Sequence, residues 1–215
     1  MLNTLERIRE RTKYWSLYVK LQKYEDKYFK DMTFQDKRLQ NKLMKVKIKM
    51  GEKWVDCVEV AFYSLLDWVV VYADDQNKLE ENIDGKCLGE EKKIIIRKFG
   101  DLKKERNILL HEMIHAYESI LPEARKQYLV LYLYKKLLKK IGRRKLEKLL
   151  DLGSHAHLMM VLHTPLFMLK SLDLDLRLKQ PLGTIYGRGD LFKEAIMNYA
   201  RRSKSGRVCK EKVWL

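Results

Sequence analysis

Apolar residues change their spacing along this chain, and each change marks a change of element. Near the N-terminus Leu5, Ile8, Trp15 and Val19, joined by tyrosines, form an apolar stripe with Lys and Arg between its members. That is the period of an amphipathic helix. Asn3 followed by Glu6 resembles a capping box, so the pattern predicts one long helix through roughly Phe29. From Leu43 the period becomes two. "VKIKM" sets Val46, Ile48 and Met50 against lysines, as a half-buried strand does, and Gly51 offers a turn. Trp54 to Val60 and "WVVVY" at 68–72 are further strand candidates, rich in β-branched and aromatic residues. The polar run "ADDQNKLEENIDGKCLGEEKK" reads as an irregular connection with room for a short helix. "IIIRKF" at 94–99 reads as the last strand.

Helical spacing then takes over. Gly100 ends the strand, and Asp101 caps a helix that carries "ILLHEMIHAY" (108–117) and stops near Pro122. Pro122 suits the first position of another helix, because no amide donor is needed there. That helix runs to about Ile141, where Gly142 fits its C-terminal stop. A shorter basic helix, "RRKLEKLLD", closes near Gly153. Thr164–Pro165 opens a helix through "LFMLKSL", "GTIYGRGD" is a glycine-rich loop, and "LFKEAIMNYARR" is a final helix. These elements predict an α+β fold in a single domain, 1–215. It carries an N-terminal helical segment (1–40), a helical insertion (122–152) and a basic tail (201–215).

Charge narrows the partners. Of 215 residues, 45 are basic and 29 acidic, a net +16. Heat adaptation usually adds Glu alongside Lys, whereas here the excess is one-sided, which suits a polyanion such as nucleic acid. The densest basic runs, 135–148 and 201–212, are candidate phosphate contacts; a solvated helix face and a frayed tail are the competing reading. Cys57, Cys87 and Cys209 make neither a disulfide framework nor a zinc ribbon, which predicts a reducing, cytoplasmic setting. The N-terminus is too charged for a signal peptide. The longest apolar run, Tyr128 to Tyr134, is too short to span a bilayer, so no membrane partner is expected. No G-x-S-x-G elbow and no Walker motif is present, against serine-hydrolase and P-loop NTPase chemistry.

The remaining chemistry gathers on "ILLHEMIHAY". Four residues turn a helix by about 400° and climb about 6 Å, so His111 and His115 project from nearly one face and both reach one metal ion. Glu112, about 100° away, falls beside that ion, placed to take a proton from an attacking water. Ile108, Leu109, Met113, Ile114 and Tyr117 would embed the helix and leave the histidine face to a cleft. The plain alternative is a helix carrying two ordinary histidines. Glu118 shares the ligand face, either as an orienting partner for a histidine or as a solvated surface residue. A third zinc ligand must come from downstream, where His155, His157 and His163 compete and Glu194 is a further option. Tyr186 and Arg188, in the glycine-rich loop, are candidate donors to an oxyanion, against the reading of an ordinary turn. "IIIRKF" is either an edge to which an extended substrate adds or an interior strand.

The stretch "GKCLGEEKKIIIRKFGDLKKERNILLHEMIHAY" resembles the SprT/Spartan family of zinc metalloproteases. The likeness covers about residues 43–120 and 163–175, and "HTPLF" (163–167) resembles the family's segment for the third ligand. The resemblance implies a zincin-like fold, with a small, mostly antiparallel sheet packed on the active-site helix. It implies zinc held by His111, His115 and His163, with Glu112 as general base for hydrolysis of a protein or peptide, and substrates associated with DNA. Two departures stand out: His163 follows His115 by 48 residues, longer than usual in the family, and Thr164 replaces a glycine. The alternative function is a DNA-associated binding or regulatory protein with a structural or vestigial zinc site. Glu112 separates the two, because a structural site has no use for a base there.

Overall fold

A computed structural model describes residues 4–33, 47–50, 53–56, 63–150 and 163–187. In chain order these residues form α1 (Thr4–Lys13), α2 (Trp15–Tyr28), β1 (Lys47–Met50), β2 (Lys53–Asp56), β3 (Val69–Tyr72), β4 (Gly85–Leu88), β5 (Lys93–Ile96), α3 (Leu102–Ile120), α4 (Glu123–Ile141) and α5 (Pro165–Arg177). Residues 143–150 are also helical. The architecture is mixed α+β. β1 and β2 make an antiparallel pair of their own, while β3, β5 and β4, in that spatial order, form a three-stranded sheet.

The expectation of a mostly antiparallel sheet needs correction for these three strands. β3 runs parallel to β5 (Val70 opposite Ile94), and β4 runs antiparallel to it (Cys87 opposite Ile94). β4 itself lies inside the polar run read as irregular. Its residues, Gly-Lys-Cys-Leu, carry too few β-formers to signal a strand; pairing with apolar β5 supplies the order. "IIIRKF" is therefore interior rather than an edge, and its regular part is Lys93–Ile96.

Alternation divides the sheet between two cores. Val70, Ile94 and Ile96 face the main core with Leu109, Met113 and Tyr117 of α3. Val69, Val71 and Ile95 face the other side, against Tyr14 and Leu88. All four residues of β5 are buried: Ile94–Ile96 form a continuous apolar run with both faces covered, and Lys93 is buried with its ammonium on Glu10.

The N-terminal helix departs from expectation. It breaks at Tyr14 (φ −114°, ψ 35°), giving two helices instead of one. The predicted stripe is the outer face: Leu5 is 69 % exposed, Ile8 53 %, Trp15 60 % and Val19 45 %. Leu17, Leu21 and Tyr28 turn inward instead. The reason lies in how α1 docks, which is through polar groups. Arg11 donates to the Leu66 carbonyl (2.5 Å), Tyr14 Oη to Asp74 (2.5 Å), and Lys93 Nζ to Glu10 (2.8 Å). These contacts rotate the apolar stripe outward. Asn3 lies outside the described residues.

The helical insertion supports α5. Leu129, Leu133 and Leu137 of α4 enter the main core with Leu166, Phe167 and Leu169 of α5. Lys136 meets Asp173 of α5 at 2.8 Å. Lys170, fully buried on α5, donates to Asp31 at 2.5 Å and to the Tyr28 carbonyl at 2.8 Å. A buried charge stripped of its partner costs about 3–5 kcal/mol, so these pairs set where α5 sits. The final helix and the basic tail expected from 191 onward lie outside the described residues.

Candidate metal centre

Helix α3 is held at its start by two carboxylates. Asp101 accepts from Lys103 N (2.8 Å) and Lys104 N (3.2 Å), the expected N-cap. Glu105 is buried and accepts from Phe99 N (3.0 Å), Gly100 N (3.1 Å) and Tyr72 Oη (3.0 Å). Gly100 turns the chain with φ +74°, a conformation glycine enters without steric cost. The exit of β5 and the entry of α3 are thus tied to β3, which fixes the helix against the sheet.

One turn apart on α3, His111 and His115 meet His163 at the mouth of α5. The three residues offer one ligand nitrogen each, and these nitrogens all lie within 4.8 Å of one another. Phe167 walls the cluster, its ring centre 4.7 Å from that of His111, 4.5 Å from His115 and 4.2 Å from His163. Thr164 caps α5 by accepting from Phe167 N at 3.2 Å, with Pro165 in the first turn. The same local signal that opens the helix therefore sets both His163 and its aromatic neighbour.

Each α3 histidine has an outer partner. His111 Nδ1 lies 2.7 Å from the Ile185 carbonyl, so Nδ1 carries the proton and Nε2 keeps its lone pair free. Burial holds the His111 pKa down at about 4, which keeps the ring neutral near pH 7, as a metal ligand must be. His115 Nδ1 lies 3.6 Å from Glu118, and Glu118 also accepts a hydrogen bond from the Thr164 hydroxyl. Of the two readings for Glu118 the structure favours the orienting one, since its side chain is only 11 % exposed. Glu118 connects one ligand with the residue beside another. Such outer partners orient ligands and raise their basicity. Three imidazoles, with the tautomer of His111 set by the Ile185 carbonyl, are a donor set that suits zinc.

Glu112 is buried on the sheet side of the cluster, and burial pushes its pKa up to about 7. Its neighbour is the backbone of β4. A Cβ added at Gly85 would stand 2.8 Å from Glu112 Oε1 and 2.7 Å from Ile108 Cγ2. Only glycine lets the strand come this close, so Gly85 sets the depth at which the carboxylate lies. Tyr186 is buried, with its ring centre 5.0 Å from that of His163. The candidate oxyanion donor is therefore at the cluster, 23 residues beyond the ligand it faces.

The structure thus brings together His111, Glu112, His115, His163 and Tyr186. His155, His157, Arg188 and Glu194 lie outside the described residues. Sequence reasoning missed Phe167 as a wall of the cluster and the Ile185 carbonyl as the partner of His111. "HTPLF" carried a signal for Phe167, since helical spacing sets it near the capping residue. A backbone carbonyl in a loop leaves no signal in the sequence.

Compared with protein-family models, with curated proteins and with solved structures, the chain matches none.

Proposed function

We propose that the chain is a zinc-dependent metallopeptidase of SprT-like, zincin-like character. The observation that carries this reading is the convergence of three histidine nitrogens within 4.8 Å beside a buried glutamate. When bound there, zinc supplies the Lewis acidity that polarises a peptide carbonyl and acidifies a water molecule. His111, His115 and His163 would hold it. Glu112 takes the proton of the attacking water and delivers it to the departing amine. Tyr186 donates toward the oxygen that becomes negative. Phe167 and the buried side chains around it exclude bulk solvent, which strengthens each of these electrostatic contacts. Among the described residues β4 pairs only with β5, and its other edge, beside Glu112, is where an extended chain would add.

The direct test is cleavage of a denatured generic protein. The zinc-loaded chain is expected to cut it, a chelator to stop the cutting, and added zinc to restore it. Binding of zinc with no cleavage of any denatured protein would leave the alternative of a structural zinc site.

Nucleic acid is the proposed neighbour of the substrate. Lys135, Lys139, Lys140, Arg143, Arg144 and Lys145 are all exposed, at the end of α4 and the start of the helical stretch after it. Contacts of this kind position a protein on phosphates without reading sequence. DNA affinity is expected to fall linearly with salt on logarithmic axes. Absence of binding at low salt would remove this part of the proposal. No helix among the described residues is long and apolar enough to cross a membrane.

A further inference from the structure

The loop that follows α5 has a feature that the zinc ligands alone do not explain. Asp175 is fully buried, in the last turn of α5. A buried carboxylate is costly unless hydrogen bonds replace its lost water. Asp175 meets that demand from the loop that follows it. It accepts from Gln180 Nε2 (2.8 Å), from Gly183 N (2.7 Å) and from Ile185 N (3.1 Å). Ile185 in turn receives the His111 Nδ1 proton on its carbonyl, at 2.7 Å.

We propose that Asp175 is a positioning residue for the metal centre: it clamps the 180–187 loop so that the Ile185 carbonyl fixes the tautomer and ring orientation of His111. The affinity part of this proposal rests on the zinc reading above; the link between Asp175 and His111 does not.

Three further observations support it. First, the loop needs holding. Lys179 has φ +52° and Gly183 φ +90°, so the chain turns through left-handed backbone that a lysine enters only at a cost. Second, the loop is anchored at both of the elements that supply ligands. Arg106, on α3 ahead of His111, donates to Gln180 Oε1 at 3.2 Å, while Gln180 donates to Asp175 on α5. The clamp therefore spans the junction across which His111 and His163 must meet. Third, the next residue is Tyr186, packed against His163. One carboxylate thus governs both the carbonyl behind one ligand and the aromatic ring in front of another.

The chemistry is a matter of which nitrogen is free. A neutral imidazole with its proton on Nδ1 presents Nε2 to a metal. If the Ile185 carbonyl moves away, the two tautomers and the ring orientation are no longer set, and part of the population offers the metal a protonated nitrogen. Asp175→Asn keeps the side-chain size but turns an N–H₂ toward a backbone N–H, which forces the loop to shift. Gln180→Ala, at a half-buried site, removes one contact to Asp175 and the link to Arg106 while leaving the carboxylate in place.

The test uses the full chain in two measurements. In the zinc-free protein, nitrogen NMR of the histidine rings reads the tautomer of His111. Wild type is expected to hold the Nδ1–H form, Asp175→Asn to show both forms, and Gln180→Ala to shift the same way by less. In chelator competition, zinc should bind about 10–100-fold more weakly to Asp175→Asn, the range for loss of an outer-shell partner. Gln180→Ala should weaken it less. If either folded variant keeps the wild-type tautomer and zinc affinity, the proposal fails. It fails equally if melting temperature falls while both readings stay unchanged, because Asp175 would then be structural only. Should Asp175→Asn not fold, Gln180→Ala decides. Should wild type take up no zinc, the metallopeptidase reading falls, and the tautomer measurement still decides the clamp.

Discussion

Glu112→Gln is expected to leave zinc bound and to lower peptide cleavage by about 100- to 10,000-fold, the usual contribution of a positioned acid–base group. The substitution changes almost nothing in shape. The amide fits the space against Gly85, where an added Cβ would come within 2.8 Å of the carboxylate oxygen. It leaves in place the three histidines that would hold the metal. What it removes is the ability to accept a proton. Burial already pushes Glu112 up to about 7, near the pH at which such a group exchanges protons most efficiently. Zinc content and cleavage should therefore separate cleanly. Cleavage that survives at the wild-type rate would sink the mechanism. Loss of zinc together with cleavage would mean that Glu112 acts through the structure of the site.

The second large effect concerns the third ligand. His163→Ala is expected to weaken zinc binding by more than about 100-fold, beyond what loss of an outer-shell partner costs. His155→Ala and His157→Ala are expected to bind zinc as wild type does. His163 is held against Phe167 at 4.2 Å, and its ring stacks on that of His115 at 5.1 Å, so its removal leaves a two-histidine site. Two imidazoles on one helix turn bind zinc weakly because water must complete the shell. Zinc content measured on the three single variants reads the outcome directly. Loss with His157→Ala and retention with His163→Ala would assign the ligand to the wrong histidine.

Several elements of this protein were legible from local pattern. The N-cap at Asp101, the stop at Gly142 and the start at Thr164–Pro165 appear in the structure where their chemistry predicts them. So do β3 and β5, each a dense run of β-branched residues. Pro122 sits one position earlier than expected, as the cap itself rather than the first helical residue. The errors share a cause. β4 has weak strand character and forms because β5 offers it an edge. The stripe Leu5, Ile8, Trp15, Val19 has a helical period, but period alone does not say which face turns inward. Here Arg11, Glu10 and Tyr14 make the docking contacts, and the apolar face is left outside.

The site divides along the same line. His111, Glu112 and His115 were readable from sequence because helix geometry alone places residues four apart on one face. Their roles needed no partner to be seen. The nomination of His163 among downstream histidines rested on the resemblance to the SprT/Spartan family, and spacing along the chain did not choose it. Tertiary structure brings that residue to the cluster across 48 positions, because α4 folds back against α5 through Leu129, Leu133, Leu137 and the Lys136–Asp173 pair. The choice for Glu118, the approach of Gly85 to Glu112, and the path from Asp175 through Ile185 to His111 were likewise decided only in three dimensions. Each depends on a contact between elements distant in sequence, and two of the three involve backbone atoms, whose chemistry is the same at every residue. Sequence by itself determined which side chains could do the work; packing decided which of them meet.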